Sequence, residues 1–135
     1  MKFLFVSHGS LAKSMVESAQ MIIGEQSNFQ TLGLYPEDDI ENLKNKVRKI
    51  LIEFEGEDVI CFTDLFSGSP FNAVVSVMGD YPVQHITGMN LPIVLEAFMM
   101  RMNPDLTIKE IKDQLMAMVP KTIVDVREFL KAAEN

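Results

Sequence analysis

The feature that most constrains this chain is an alternation in which short, apolar, β-prone runs take turns with longer stretches of helical period. Lys2 to Val6, Phe29 to Leu34, Asp58 to Thr63 and Val83 to Thr87 are short and rich in branched or aromatic residues, which predicts strands. Between them, Leu11, Met15, Ala19, Ile22 and Ile23 recur at helical spacing, with Ser10 placed as an N-cap and Gly24 as a stop. Ile40, Leu43, Val47, Ile50, Leu51 and Phe54 form a second apolar stripe, and Gly56 ends it. Pro70 suits the first turn of a third helix over Phe71 to Met78. Leu91-Pro92 opens a fourth, running to about Met102 with Leu91, Val94, Leu95, Phe98 and Met102 on one side. Thr107 and Glu110 make a capping-box pattern ahead of a fifth, from Ile108 to Met118.

Parallel strands need a crossover long enough to return the chain to the same edge, and these helices supply one each time. The expected fold is therefore α/β, an open and mainly parallel sheet with helices on both faces. Past Pro120 the pattern is ambiguous. Thr122 to Val126 is β-branched and reads as a strand followed by a short helix, although Ile123, Val126 and Leu130 also keep helical spacing. With 135 residues and no linker, repeat or low-complexity stretch, residues 1–135 read as a single domain.

Several function classes are disfavoured by the totals. A net charge of −7 opposes binding to nucleic acid or to an anionic membrane surface, both of which need clustered Lys and Arg. Cys61 is the only cysteine, so there is neither an internal disulfide framework nor a multi-thiolate metal site, and its neighbours Val59, Ile60 and Phe62 mark it as a buried hydrophobe. No apolar run approaches the roughly 20 residues of a membrane span. The run Phe3-Leu4-Phe5-Val6 stops at Ser7-His8-Gly9, too soon for a signal peptide, and the expected location is the cytoplasm. A protein partner or a small ligand remains.

In an open parallel sheet, ligands collect beyond the carboxyl ends of the strands. Three loops fall there: Ser7-His8-Gly9-Ser10, Asp64-Leu65-Phe66-Ser67-Gly68-Ser69, and Thr87-Gly88-Met89-Asn90. His8 follows the first strand and precedes a helix N-terminus, whose unpaired N–H groups favour an anion. An imidazole nitrogen is a competent phosphoryl acceptor, and a carboxylate on the other nitrogen would fix its tautomer. Asp64 is the candidate for that carboxylate, and Gly9, Ser10, Gly68 and Ser69 are candidates to face phosphoryl oxygens. A histidine or aspartate at such turns also serves simply to satisfy a loop, so the residues alone leave both readings open.

Near-matches to known motifs fall short. His8-Gly9 lacks the arginine of the histidine phosphatases, and Gly9-Ser10-Leu11-Ala12-Lys13-Ser14 has the wrong spacing for a P-loop. Val6 to Ser10 resembles the start of small metal chelatases, which would need a second histidine in the same cleft; His85 is the only candidate, and its run Val83 to Thr87 favours a core or edge-strand role.

Taken together, Ser7-His8-Gly9-Ser10-Leu11-Ala12, Asp64-Leu65-Phe66-Ser67-Gly68-Ser69-Pro70-Phe71-Asn72-Ala73 and Gly88-Met89-Asn90-Leu91-Pro92 resemble the IIA domain of the mannose, fructose and sorbose phosphotransferase family over nearly the whole chain. That resemblance implies a phosphocarrier that accepts a phosphoryl group on His8 from HPr and passes it to a IIB domain. It implies Asp64 as orienter, Ser69 lining the site, acceptance on Nε2, no metal and no cofactor. It further implies a homodimer exchanging a C-terminal strand, with the membrane components IIC and IID reached only indirectly. Two positions depart from the family pattern: Ser67 stands at a usual glycine, and Ser7 at a residue that is often glycine. Small local changes are expected at both if φ is negative, and a strained loop if Ser67 needs positive φ. The phosphotransfer subunit of dihydroxyacetone kinase has a related domain, but the Ser-Pro-Phe-Asn stretch favours the sugar system.

Overall fold

The computed structural model describes residues 1–134. Strands and helices alternate as β1 (Lys2–His8), α1 (Leu11–Ile23), β2 (Phe29–Leu34), α2 (Ile40–Glu53), β3 (Val59–Thr63), α3 (Ser69–Val77), β4 (Gln84–Thr87) and α4 (Leu91–Arg101). Two more helices close the chain, α5 (Ile108–Met118) and α6 (Val126–Ala133), joined through a tight turn at Val119–Lys121. All four strands run parallel in the order β2-β1-β3-β4, the predicted class of fold.

Successive residues of a strand face opposite sides of the sheet, and β1 shows what this does. Phe3 and Phe5 point to one side, where Phe62 and Phe98 meet them under α1, α4 and α5; Leu4 and Val6 point to the other, against Cys61, α2 and α3. Phe5 stacks on Phe62 with ring centroids 5.0 Å apart, and both are fully buried. Each such ring contributes about 2–3 kcal/mol of transfer free energy, so this layer anchors β1 beside β3.

The capping box of α5 forms in part, Thr107 accepting the Glu110 N–H at 3.1 Å, and the inward stripe of α2 holds. The stripe of α1 holds in part. Ala19 is buried and Met15 and Ile23 pack against the core, whereas Leu11 and Ile22 are exposed and Ala12 and Val16 take buried positions facing the sheet and α4. On α4 the buried residues are Ile93, Val94, Ala97 and Phe98, and Met102 is exposed.

The C-terminal segment also differs from expectation. Thr122 and Ile123 form a bend instead of starting a strand, and Asp125 accepts the Glu128 N–H at 3.1 Å to cap α6. β-Branched residues favour a strand only where a sheet edge receives them, and here a local cap takes the segment into a helix. Ile123, Val124, Val126, Phe129 and Leu130 are left exposed.

The strand order positions the site. From β1 the chain proceeds to β2 on one side, then crosses back to β3 on the other. The carboxyl ends of β1 and β3 therefore flank the switch point at which such sheets bind ligands.

Candidate functional site

His8 is the last residue of β1 and Asp64 the first after β3. Val6 pairs with Thr63, so His8 lies two residues and Asp64 one residue beyond the same rung of adjacent strands, and the two side chains meet. His8 Nδ1 lies 2.8 Å from Asp64 Oδ2, and the same oxygen accepts the His8 backbone N–H at 3.0 Å. The carboxylate thus holds both the ring and the main chain of His8.

Burial pushes Asp64 up, but the hydrogen bonds from the His8 N–H and imidazole and the charge interaction with His8 outweigh it, and the carboxyl titrates below its ordinary value. An ionised carboxylate can only accept, so Nδ1 carries a proton, and in the neutral imidazole it is Nε2 that holds the lone pair. The Asp64 side chain is 9% exposed and that of His8 49%, which leaves the imidazole accessible while its partner is enclosed. The second carboxylate oxygen of Asp64, Oδ1, is buried without a hydrogen-bond partner among the described residues.

Strand alternation decides which helix the ring meets. His8 shares the parity of Leu4 and Val6, on the side of α2 and α3, while Ser7 shares that of Phe3 and Phe5, beneath α1. Thus α3 approaches the imidazole closely. A Cβ placed on Gly68 would come 3.0 Å from His8 Cε1 and 3.7 Å from Nε2, so a larger residue here would press on the ring edge. Ser69 follows as the first residue of α3, where N–H groups lack intrahelical acceptors.

The turn after His8 is tied down differently. Gly9 has φ +53° and donates its N–H to the Leu34 carbonyl at 2.7 Å. Ser10, expected to cap α1, makes no side-chain cap bond; its φ of −90° and ψ of 6° do not aim the hydroxyl at the first turn. Ser7 takes over, its buried hydroxyl accepting the Ala12 N–H at 2.8 Å. The sequence expectation assigns no such contact to Ser7, although the alternation of β1 places it beneath α1.

Ser67 has φ +65°, a left-handed conformation that serine adopts only at a cost, so of the two outcomes expected there the strained loop is the one found. His85 lies within the sheet region, its Nε2 2.8 Å from Thr63 Oγ1 and its ring 5.2 Å from that of Phe71. Thr63 Oγ1 donates in turn to Thr87 Oγ1, so the His85 contact is a donation from Nε2–H. Burial pushes its pKa down to about 4, and this neutral histidine is a structural member of the sheet, with its Nε2 committed to Thr63.

The chain is similar to proteins of known family. The EIIA-man family, described as "PTS system fructose IIA component", matches residues 2–116. The chain is 30% identical over 130 residues to the fructose-specific EIIA component of Bacillus subtilis, covering 95% of this chain and 88% of that one. It is 32% identical over 97 residues to the sorbose-specific EIIA component of Lacticaseibacillus casei, covering 71% and 70%. A solved PTS IIA protein associated with the fucose utilisation operon of Streptococcus pneumoniae superposes with a TM-score of 0.82 at 27% identity, covering 96% and 95%.

Proposed function

Because the chain belongs to the mannose-type IIA family of the sugar phosphotransferase system, we propose that His8 is its phosphoryl carrier, taking the group from phospho-HPr and passing it to a IIB domain. Residues 1–135 then act as one cytoplasmic phosphocarrier unit. No helix among the described residues is long and apolar enough to cross a membrane, in keeping with contact to IIC and IID only through IIB.

One observation carries this reading: the 2.8 Å contact between His8 Nδ1 and Asp64 Oδ2, which leaves Nε2 as the exposed nucleophile. In the forward step the Nε2 lone pair forms the new N–P bond while the donor's P–N bond breaks, its electron pair returning to the donor nitrogen. Positive charge develops on the His8 ring, and the Asp64 carboxylate stabilises it through Nδ1–H. The same contact keeps the ring protonated at Nδ1, a better leaving group for onward transfer.

The transition state is loose, so positioning and charge stabilisation of the three phosphoryl oxygens supply most of the catalysis. Gly68, the residue that opens α3, is the close wall beside the imidazole, and the Ser69 N–H and hydroxyl that follow it are the proposed donors to the phosphoryl oxygens. Gly9 and Ser10 form the turn that carries the imidazole and bound the phosphoryl group from the β1 side. The family names of the relatives favour the sugar system over the dihydroxyacetone-kinase subunit and over the chelatase, and the commitment of His85 Nε2 to Thr63 further disfavours the latter.

Incubation with phosphoenolpyruvate, enzyme I and HPr is expected to give acid-labile, alkali-stable label on the wild type and none on His8→Ala. Label surviving intact in His8→Ala sinks the assignment. We further propose a homodimer that exchanges the C-terminal segment, supported by the exposed apolar residues Ile123, Val124, Val126, Phe129 and Leu130 and by the open outer edge of β4. Sedimentation at micromolar concentration is expected to show the dimer, and a monomer would count against exchange.

A further inference from the structure

The backbone of His8 sits where the sheet runs out, and its polar groups are held by side chains. Its N–H goes to Asp64 at 3.0 Å, while its carbonyl accepts the Ser7 hydroxyl at 3.0 Å. The Ser7 oxygen simultaneously accepts the Ala12 N–H at 2.8 Å. Ser7 is fully buried and paired across the sheet with Gly33.

One hydroxyl thus spans the turn that carries the imidazole, joining the His8 carbonyl on one side to the second residue of α1 on the other. Gly9, between them, is held in a left-handed conformation and bonded to Leu34. Two further tethers therefore act on a turn whose other anchor is Asp64. Ser10, the residue at the helix cap position, makes no side-chain cap bond.

We propose that Ser7 is a positioning residue for phosphoryl transfer: its buried hydroxyl clamps the His8–Ala12 turn and so sets where Nε2 stands relative to α3 and the incoming phosphorus. This rests on His8 being the carrier. Ser7 touches no reacting atom. It acts through the main chain of His8, and small errors in near-attack geometry reduce rates steeply, about a hundredfold for a displacement of about 1 Å.

Removing the hydroxyl leaves the buried Ala12 N–H without its acceptor and frees the turn on the α1 side. Because Asp64 still holds the ring, the displacement is a fraction of that distance, and the expected loss is about tenfold in transfer rate. Docking of the protein partner, which involves surface rather than this buried group, is left unchanged.

The test is single-turnover transfer from phospho-HPr to wild type, Ser7→Ala, Ser7→Thr and Ser7→Cys, with donor concentration varied to separate kcat from KM. Ser7→Ala is expected to accept label on His8 with kcat down about tenfold, KM within twofold of wild type, and a shifted His8 ring ¹⁵N–¹H signal. Ser7→Thr, which keeps the hydroxyl, is expected to restore the rate. Ser7→Cys keeps nearly the same volume but offers only a weak acceptor, and serves if the alanine variant does not fold.

Wild-type kcat in folded Ser7→Ala or Ser7→Cys, with only the melting temperature lowered, overturns the proposal and makes the hydroxyl a support of α1 alone. Failure of the wild type itself to take label at His8 instead overturns the carrier reading, whatever the variants do.

Discussion

Replacing Asp64 by Asn tests the division of labour between the two side chains, and the geometry bounds the effect. Asp64 Oδ2 accepts from both the His8 N–H and Nδ1–H, so the amide oxygen of Asn must take that position to keep either bond. The amide NH₂ then occupies the place of Oδ1, which is buried and has no partner among the described residues. A neutral acceptor replaces a charged one at the ring, a loss of roughly 1–2 kcal/mol, and the ring's developing positive charge loses its counter-ion. Taking about 2 kcal/mol as the total at the transition state, transfer to His8 should slow about thirtyfold. The unpaired buried NH₂ costs a further ~1–3 kcal/mol of folding stability, visible as a fall of several degrees in Tm. Asn also removes a pH dependence. A depressed carboxyl pKa contributes stability that is complete above the ordinary value of 3.8 and is lost as pH falls through the still lower folded value. The variant should lack that acid loss. Rapid-quench transfer from phospho-HPr, read beside circular-dichroism melting, measures both effects. A folded Asp64→Asn protein transferring within threefold of wild type would refute the orienting role, because the ring would then hold its tautomer and carry its charge without the carboxylate.

Other outcomes follow from single residues. Ser67→Gly relieves a left-handed serine worth about 1–2 kcal/mol, offset by the larger unfolded-state entropy of glycine, so a net gain of about 0.5 kcal/mol and a Tm rise of a degree or two are expected, with transfer unchanged. A lower Tm in that variant would mean that the serine side chain holds the loop. His85 has its folded pKa moved from 6.5 to about 4, so the unfolded chain binds more protons between these values. Stability is therefore complete above about 6.5 and declines as pH falls toward about 4; a fully enclosed group would account for about 3 kcal/mol of this, and partial exposure reduces it to roughly half. His85→Gln should flatten that slope in urea titrations across the same range, and an unchanged slope would assign the acid loss elsewhere. Ile123→Asp combined with Val124→Asp should abolish the dimer while leaving far-ultraviolet circular dichroism intact, since both side chains are exposed on the single chain; a dimer persisting in the double variant would remove these residues from the interface.

The fold was legible because the cues were redundant. Each strand of the sheet was announced by its run, by a flanking turn and by the helix after it, and His8 and Asp64 each lay at the end of such a run. The helix faces were less legible. Leu11 and Ile22 are larger and more apolar than Ala12, so a reading by hydrophobicity places them inward, yet closeness of α1 to the sheet rewards small side chains. The C-terminus failed for a different reason: the β-branched run of Thr122 to Val126 joins neither open edge of the sheet in the single chain, because the cap at Asp125 is local and takes the segment into a helix.

Ser7 shows how much a strand's parity can add. Read one residue at a time, Ser7-His8-Gly9-Ser10 offers two serines of similar chemistry, and Ser10 stands at the helix start. Read along β1, the phenylalanines at 3 and 5 commit Ser7 to the face of α1, and the leucine and valine at 4 and 6 commit His8 to the face of α3. Adjacent residues are thereby sent to opposite helices: one hydroxyl caps the helix behind the turn, and one imidazole faces the helix in front of it. A one-residue slip of β1 would exchange these tasks, burying the imidazole under α1 and presenting the serine to α3. The aromatic layer of Phe3, Phe5 and Phe62 opposes that slip because it would take Phe3 and Phe5 away from Phe62 to the side occupied by Leu43, Val47 and Cys61. The phenylalanines deepest in the core therefore determine which atom of this chain is presented to a phosphoryl donor.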